Sequence, residues 1–135
     1  MKFEDINVGY ETEPVLCSFS EEDIKAFAKL SGDQSPLHLD DGFARTKGYK
    51  GRLAHGLLVA SKFSYLVGMV IPGKDSLYLS QNLNFHRPIL AGEKFKVKGT
   101  VVSKSESTKI VEIKMEIFDS EGRVAVEGRA LVKII

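Results

Sequence analysis

The stretch from Ala54 to Ile71 limits the possible folds more than any other part of the chain. It carries a single charge, on Lys62, and Pro72-Gly73 follows it. The stretch is too long for a typical buried strand, and a Pro-Gly pair commonly ends a helix, so it predicts a helix that is apolar on nearly every side. Such a helix has to be covered by other elements. Alternation with a period of two after Pro72 predicts the cover, an antiparallel sheet that curls around this one central helix.

Composition bounds the class of protein. The chain has 135 residues, 43% hydrophobic and 27% charged, which is enough apolar material for one domain over residues 1–135. Its formal net charge is +1 with no basic block, so we expect no nucleic-acid partner. The single cysteine, Cys17, excludes an internal disulfide. The acidic residues near the N-terminus are unlike a signal peptide, and Lys62 interrupts the helix that would otherwise resemble a membrane span. We therefore expect a cytoplasmic protein without a membrane partner.

The first half of the chain predicts short elements. Residues 12–18 are typical of a strand, and the next pattern predicts a helix that begins after Ser20, with Asp23 completing a capping box, and ends near Leu30. The turn-forming residues 31–38 predict a loop. A short helix capped by Asp40 or Asp41 is then expected to end at Gly48.

The second half predicts strands. Residues 76–90 place Leu77, Leu79, Leu83 and Phe85 on one face, and residues 111–117 alternate most regularly. Asp119-Ser120-Glu121-Gly122 has the composition of a hairpin loop. With the first strand, about five antiparallel strands surround the helix, which predicts the α+β class.

Asp33 and His38 are the first candidates for chemistry. Pro36 lies between them in the turn-rich segment, and a turn can direct a carboxylate and an imidazole into one cavity. There they would share a water molecule and exchange its protons. The spacing fits equally an Asx-turn at Asp33 and a histidine that satisfies a carbonyl, and for an isolated pair that structural interpretation is favoured.

His55-Gly56 is the second candidate. It lies at the start of the predicted helix, where unpaired N–H groups and the helix dipole favour negative charge. Because glycine leaves its N–H unobstructed, a thioester carbonyl can approach Gly56 and gain charge there. The alternative is that Gly56 allows close packing and His55 caps the helix. Asn82, Asn84 and His86 are interpreted as a solvated face, and we expect no metal site.

Three segments together resemble the MaoC-like (R)-specific enoyl-CoA hydratases, and the resemblance covers nearly the whole chain. They are Ser31-Gly32-Asp33-Gln34-Ser35-Pro36-Leu37-His38-Leu39-Asp40, Ala54-His55-Gly56-Leu57-Leu58 and Leu77-Tyr78-Leu79-Ser80-Gln81-Asn82-Leu83-Asn84-Phe85. The resemblance implies a hotdog fold, in which a five-stranded antiparallel sheet wraps a long helix. Ser35 departs from the family, many members of which carry asparagine before the proline.

The resemblance also implies a function. Asp33 and His38 would be the catalytic pair that adds water to C3 of a trans-2-enoyl-CoA, or removes it, and the Gly56 N–H would hold the developing oxyanion. His55 would bind substrate. Ser64, on the same helix near the expected acyl pocket, would influence chain length, although periodicity alone favours a serine bonded back to the helix. The family needs no cofactor beyond the coenzyme A of its acyl-CoA substrate. It implies a homodimer, or a dimer of dimers, in which sheets join edge to edge.

Three other functions fit the same residues. A hotdog acyl-CoA thioesterase would direct a carboxylate-activated water at the thioester carbonyl. A 3-hydroxyacyl dehydratase acting on acyl carrier protein would use the same chemistry in the reverse direction, although the chain lacks a basic patch for an acidic carrier. A non-catalytic module that binds acyl thioesters is the third.

Overall fold

A computed structural model describes residues 1–135, and it contains one antiparallel sheet and four α-helices. The helices are α1 (Glu21–Ser31), α2 (Pro36–Leu39), α3 (Asp41–Thr46) and α4 (Gly56–Tyr65). The strands are β1 (Val15–Cys17), β2 (Ser76–Gln81), β3 (Asn84–Phe85), β4 (Phe95–Ser105), β5 (Ile110–Phe118) and β6 (Val124–Ile134). The strand order is β1-β4-β5-β6-β2, with β3 also pairing to β6. The predicted α+β architecture is confirmed, with six strands rather than about five.

The central helix begins at Gly56 and changes geometry near its end. Its α-helical part stops at Tyr65, and Leu66–Val70 form a π-helical turn that the period of 3.6 did not predict. Val59, Phe63 and Leu66 are buried against the sheet. Leu57 and Met69 point away from the sheet and are mostly exposed. The prediction that the helix is covered on nearly every side is therefore wrong for a single chain.

The segment before α4 follows the predicted caps. Ser20 and Asp23 form the capping box of α1, and Asp40 caps α3 by accepting a hydrogen bond from the Phe43 N–H. The prediction of an unbroken loop over residues 31–38 is wrong at its end, because Pro36 begins α2. Proline favours the first helical position, and Ser35 caps the helix before it, so this turn chemistry also starts a helix.

In the strand that follows the central helix, the leucines predicted to share one face point away from the core. Leu77, Leu79 and Phe85 are about half exposed, whereas Tyr78 packs against the core. The Tyr78 hydroxyl donates to Oε1 of Gln81, and burial raises the pKa of Tyr78 to about 12. The outward leucines lie on β2, which pairs with β6 on one side only and forms an edge of the sheet.

The core lies between this sheet and one face of α4. It joins 23 buried residues, most of them from β4, β5, β6 and the central helix. None of the helices is long and apolar enough to cross a membrane.

Gly128 on β6 lies close to the backbone of the segment that follows β2. A Cβ at this position would lie 1.9 Å from the carbonyl oxygen of Asn82. The obstacle is backbone, so the segment at Asn82, directly after β2, would have to move away from β6 to admit a side chain. We predict that Gly128→Ala lowers the free energy of unfolding by about 3 kcal/mol, at the upper end of the cost of overpacking, as measured by urea denaturation.

Gly68→Ala is the matched control, because a Cβ at Gly68 meets no atom within 4 Å. We expect that exchange to be neutral or slightly stabilising, since alanine is the better helix former. Equal stability of the two variants would contradict the packing argument.

Candidate active site

The turn between α1 and α2 holds Asp33 by its backbone and by one of its carboxylate oxygens. Its N–H donates to Ser31 Oγ at 3.1 Å, and its Oδ1 accepts from the Ser35 N–H at 3.2 Å. The Oγ of Ser35 in turn accepts a hydrogen bond from the Leu37 N–H. Serine thus performs the capping that an asparagine side chain also provides. Asp33 Oδ2 remains for other partners.

His38 lies on α2 and has a defined tautomer. Its Nδ1 is 2.8 Å from the carbonyl oxygen of Leu53. A carbonyl oxygen only accepts, so in the neutral ring Nδ1 carries the proton and Nε2 presents a lone pair. Nε2 lies 3.7 Å from Asp33 Oδ2, beyond hydrogen-bond length. Both atoms can therefore bond to one oxygen atom placed beside them.

His55 contacts both Asp33 and His38. Its Nε2 donates to the carbonyl oxygen of Asp33 at 2.9 Å, and its ring stacks on His38 with centroids 3.8 Å apart. The edge of Phe27 contacts the other side of the ring. Only 2% of His55 is exposed, and its Nδ1 is buried without a hydrogen-bond partner. These contacts hold the turn and the His38 ring in place. They leave the His55 ring little surface for a substrate.

Gly56 is the first residue of α4, and its backbone is exposed. The preceding His55 makes no side-chain capping bond, so the first-turn N–H groups keep their hydrogen-bonding capacity. A Cβ at Gly56 would lie 2.9 Å from Cε1 of Phe85. Glycine is therefore the residue that fits between the helix start and this ring.

Two cavities meet at these residues. One, of about 410 Å³, is lined by Asp33, His38, His55 and Gly56. The other, of about 270 Å³, is also lined by His38 and Gly56 but has mostly apolar walls. The structure thus brings the carboxylate, the imidazole and the helix N-terminus to one space.

The remaining predicted residues lie elsewhere or have other partners. Ser64 is exposed on α4 and lines neither cavity. His86 is exposed, 3.7 Å from Glu127, at the mouth of the apolar cavity. Asp33, His38 and His55 offer ligand atoms that all lie within 4.8 Å of one another, and the expected absence of a metal stays a prediction.

Sequence reasoning missed two contributors to the site. The Leu53 carbonyl sets the tautomer of His38. Because every residue has a backbone carbonyl, the residue type at position 53 could not indicate this contact. Phe85 lines both cavities, but its position in the strand pattern favoured only an apolar face.

A clamp outside the cavities holds the segment that carries Leu53. Asp41 accepts hydrogen bonds from the Arg52 N–H at 2.9 Å and from its guanidinium at 3.3 Å. The Leu53 N–H donates to the Leu37 carbonyl at 3.1 Å. These contacts join the strand-like segment before α4 to α2 and α3. They thereby fix the Leu53 carbonyl, which accepts the hydrogen bond from His38.

The chain is similar to known proteins along nearly its whole length. The model of the MaoC like domain family matches residues 5–121. The chain is 40% identical to the (R)-specific enoyl-CoA hydratase of Aeromonas caviae over 134 residues, covering 99% of both chains. It is 34% identical to the 3-hydroxybutyryl-CoA dehydratase of Methylorubrum extorquens, covering 98% of this chain and 83% of that one.

A solved structure of the (R)-hydratase from A. caviae involved in PHA biosynthesis superposes with a TM-score of 0.94 at 37% identity. The match covers 98% of this chain and 99% of the other. The sheet, the central helix and their connections therefore correspond, and the predicted hotdog fold is confirmed.

The Asp41 clamp generates a prediction about acid stability. Hydrogen bonds from Arg52 hold the pKa of Asp41 below its ordinary value of 3.8. A lowered pKa in the folded state stabilises the fold above the ordinary value, and that contribution is lost as the pH falls through the folded-state pKa. We predict that Asp41→Asn destabilises the protein at neutral pH and that its difference from wild type shrinks below pH 3.8, as measured by urea denaturation at several pH values.

Asp75→Asn is the control, because it makes the same exchange at an exposed residue outside the clamp. A difference between Asp41→Asn and wild type that stays constant across the pH range would contradict the role of the clamp.

Proposed function

The chain belongs to the MaoC-like domain family, and from this membership we propose that it hydrates trans-2-enoyl-CoA to (R)-3-hydroxyacyl-CoA, or catalyses the reverse dehydration. It is an enzyme of the hydro-lyase class, as its full-length relatives named as hydratase and dehydratase are. The observation that carries the proposal is the meeting of Asp33, His38 and Gly56 at one cavity.

The proton chemistry follows from the tautomer of His38. A water molecule hydrogen-bonded to Asp33 Oδ2 and His38 Nε2 loses a proton to Nε2, the unprotonated nitrogen. Its oxygen bonds to C3 of the enoyl group, and the π electrons move onto the thioester oxygen. The resulting imidazolium returns its proton to C2, which restores the carbonyl. The Asp33 carboxylate orients the water and stabilises the imidazolium.

The start of α4 provides for the negative charge that develops on the thioester oxygen. The Gly56 N–H donates to this oxygen, and the aligned dipoles of α4 add positive potential at the same point. Removing one such donor typically costs about 10²–10³ in rate. This chemistry needs no cofactor besides the coenzyme A of the substrate.

Two further residues take supporting roles in the proposal. His55, which the resemblance made a substrate-binding residue, positions the site by bonding the Asp33 carbonyl and stacking on His38. Ser64 lies outside both cavities of one chain, so a contact with the acyl group requires a surface contributed by a second chain.

The assembly in the proposal is a homodimer joined at β2. This six-residue strand leaves one edge unpaired, and Leu77 and Leu79 are half exposed on it. An open apolar edge invites pairing with another strand. The opposite edge, β1, has only three residues and offers less to a partner.

A substitution on β2 tests the assembly. Around a two-fold axis, Leu79→Asp brings like charges of two copies together, which destabilises strand pairing. We predict that analytical ultracentrifugation finds a dimer for the wild type and a monomer for this variant. Leu16→Asp on β1, at a residue that is 59% exposed, should remain dimeric. A dimeric Leu79→Asp protein would exclude β2 as the interface.

One assay distinguishes hydration from thioester hydrolysis. The protein is incubated with crotonyl-CoA while the conjugated enoyl absorbance and free thiol are followed together. Hydration removes the absorbance and leaves the thioester intact, and chiral analysis of the product should give the (R)-3-hydroxyacyl group. Release of free thiol at the same rate would identify a thioesterase and overturn the proposal.

The catalytic pair makes the next prediction. Asp33→Asn and His38→Ala should each lower kcat by about 10²–10⁴, the usual contribution of a general acid–base group. Circular dichroism should report an intact fold, because Asp33 is exposed and His38 lies outside the main core. Asp75→Asn, at an exposed site outside both cavities, is the matched control and should keep wild-type turnover. Near-normal rates in either pair variant would reject these roles.

A further inference from the structure

Phe85 occupies an unusual place for a large apolar side chain. It lies on β3, a strand of two residues that pairs only with Glu127 and Val126 of β6. Phe85 is 51% exposed, although Val126 opposite it is buried. About half of the residue is therefore free of protein contact, which leaves space into which the ring can turn.

The ring lies at the boundary between the two cavities. It contacts the start of α4 so closely that a Cβ at Gly56 would lie 2.9 Å from Cε1 and 3.1 Å from Cδ1. Both cavities include Phe85, and both also include His38 and Gly56. The same ring thus separates the space that holds Asp33 from the apolar space next to it.

The two spaces differ in chemistry. The cavity with Asp33 also holds Ser31 and the two stacked histidines. The neighbouring cavity is walled by Val59, Ile89 and Val126, each only 2% exposed. An alkyl chain gains from entering the second space, because burial removes its apolar surface from water. Gly56 lines both spaces, and the Phe85 ring lies against it between them.

We propose that Phe85 determines acyl-chain length by acting as a movable partition between the Asp33 cavity and the apolar cavity. This inference rests on the proposed hydration of enoyl-CoA. A short enoyl group is accommodated with the ring in its observed position. A longer chain reaches Val59 and Ile89 only when the ring is displaced from Gly56, which lowers the rate with long substrates.

The test compares kcat/KM for crotonyl-CoA and trans-2-octenoyl-CoA in the wild type and three variants. Phe85→Ala removes the partition and should raise the octenoyl to crotonyl ratio about tenfold, within the range that a hydrophobic pocket discriminates. Phe85→Trp enlarges the partition and should lower the ratio. Leu16→Ala is the matched control, because Leu16 is 59% exposed on a three-residue strand and lines neither cavity.

The outcomes separate this inference from the proposed function. An unchanged ratio in folded Phe85→Ala, with crotonyl-CoA still hydrated, overturns the partition and leaves the hydratase function standing. Loss of activity on both substrates in a folded variant also overturns it, since the ring would then be needed for the chemistry. Failure of the wild type to hydrate either substrate overturns the proposed function itself. If Phe85→Ala does not fold, Phe85→Leu provides the smaller side chain, with the same expected direction.

Discussion

The hydrogen bond from His55 Nε2 to the Asp33 carbonyl holds the site together. It joins residues 22 positions apart in the chain and fastens the turn after α1 to the first turn of α4. Without it, the turn that carries the carboxylate has only local bonds to Ser31 and Ser35. The other nitrogen of His55 is buried and unpaired, a cost of about 1–3 kcal/mol in a typical protein. The molecule thus gives up some stability to keep an imidazole beneath the site.

The two stacked imidazoles divide the work between structure and chemistry. Each donates one N–H to a backbone carbonyl, His55 to Asp33 and His38 to Leu53. His38 still presents a lone pair toward the cavity, whereas His55 has none that a substrate can reach. The difference comes from burial, because His38 lies on α2 and is partly exposed, whereas His55 is buried directly before α4. Identical side chains therefore have different roles.

The sequence predicted the helix and the sheet, because these follow from hydrophobic period and capping residues. The grouping of Asp33, His38 and Gly56 was implied by the family resemblance, since spacing alone favoured a structural role for the pair. The sequence did not predict which face of β2 points inward, since leucines at 77 and 79 look like core residues until the edge position of the strand is known. Nor did it reveal Phe85 beside Gly56, a contact between elements far apart in the chain. Such contacts depend on how strands are ordered, and residue spacing carries no record of that order.

The π-helical turn at Leu66–Val70 changes the phase of the central helix at its far end. The Ile71 N–H donates to the Leu66 carbonyl at 2.7 Å, a bond that spans five residues instead of four. Leu66 and Ile71 are both fully buried, although five residues of a regular α-helix would turn the second side chain about 140° from the first. One additional residue is stored in that wide turn. Shortening the chain there by a single position would leave these two residues four positions apart, the spacing at which an ordinary α-helix keeps two side chains on one side.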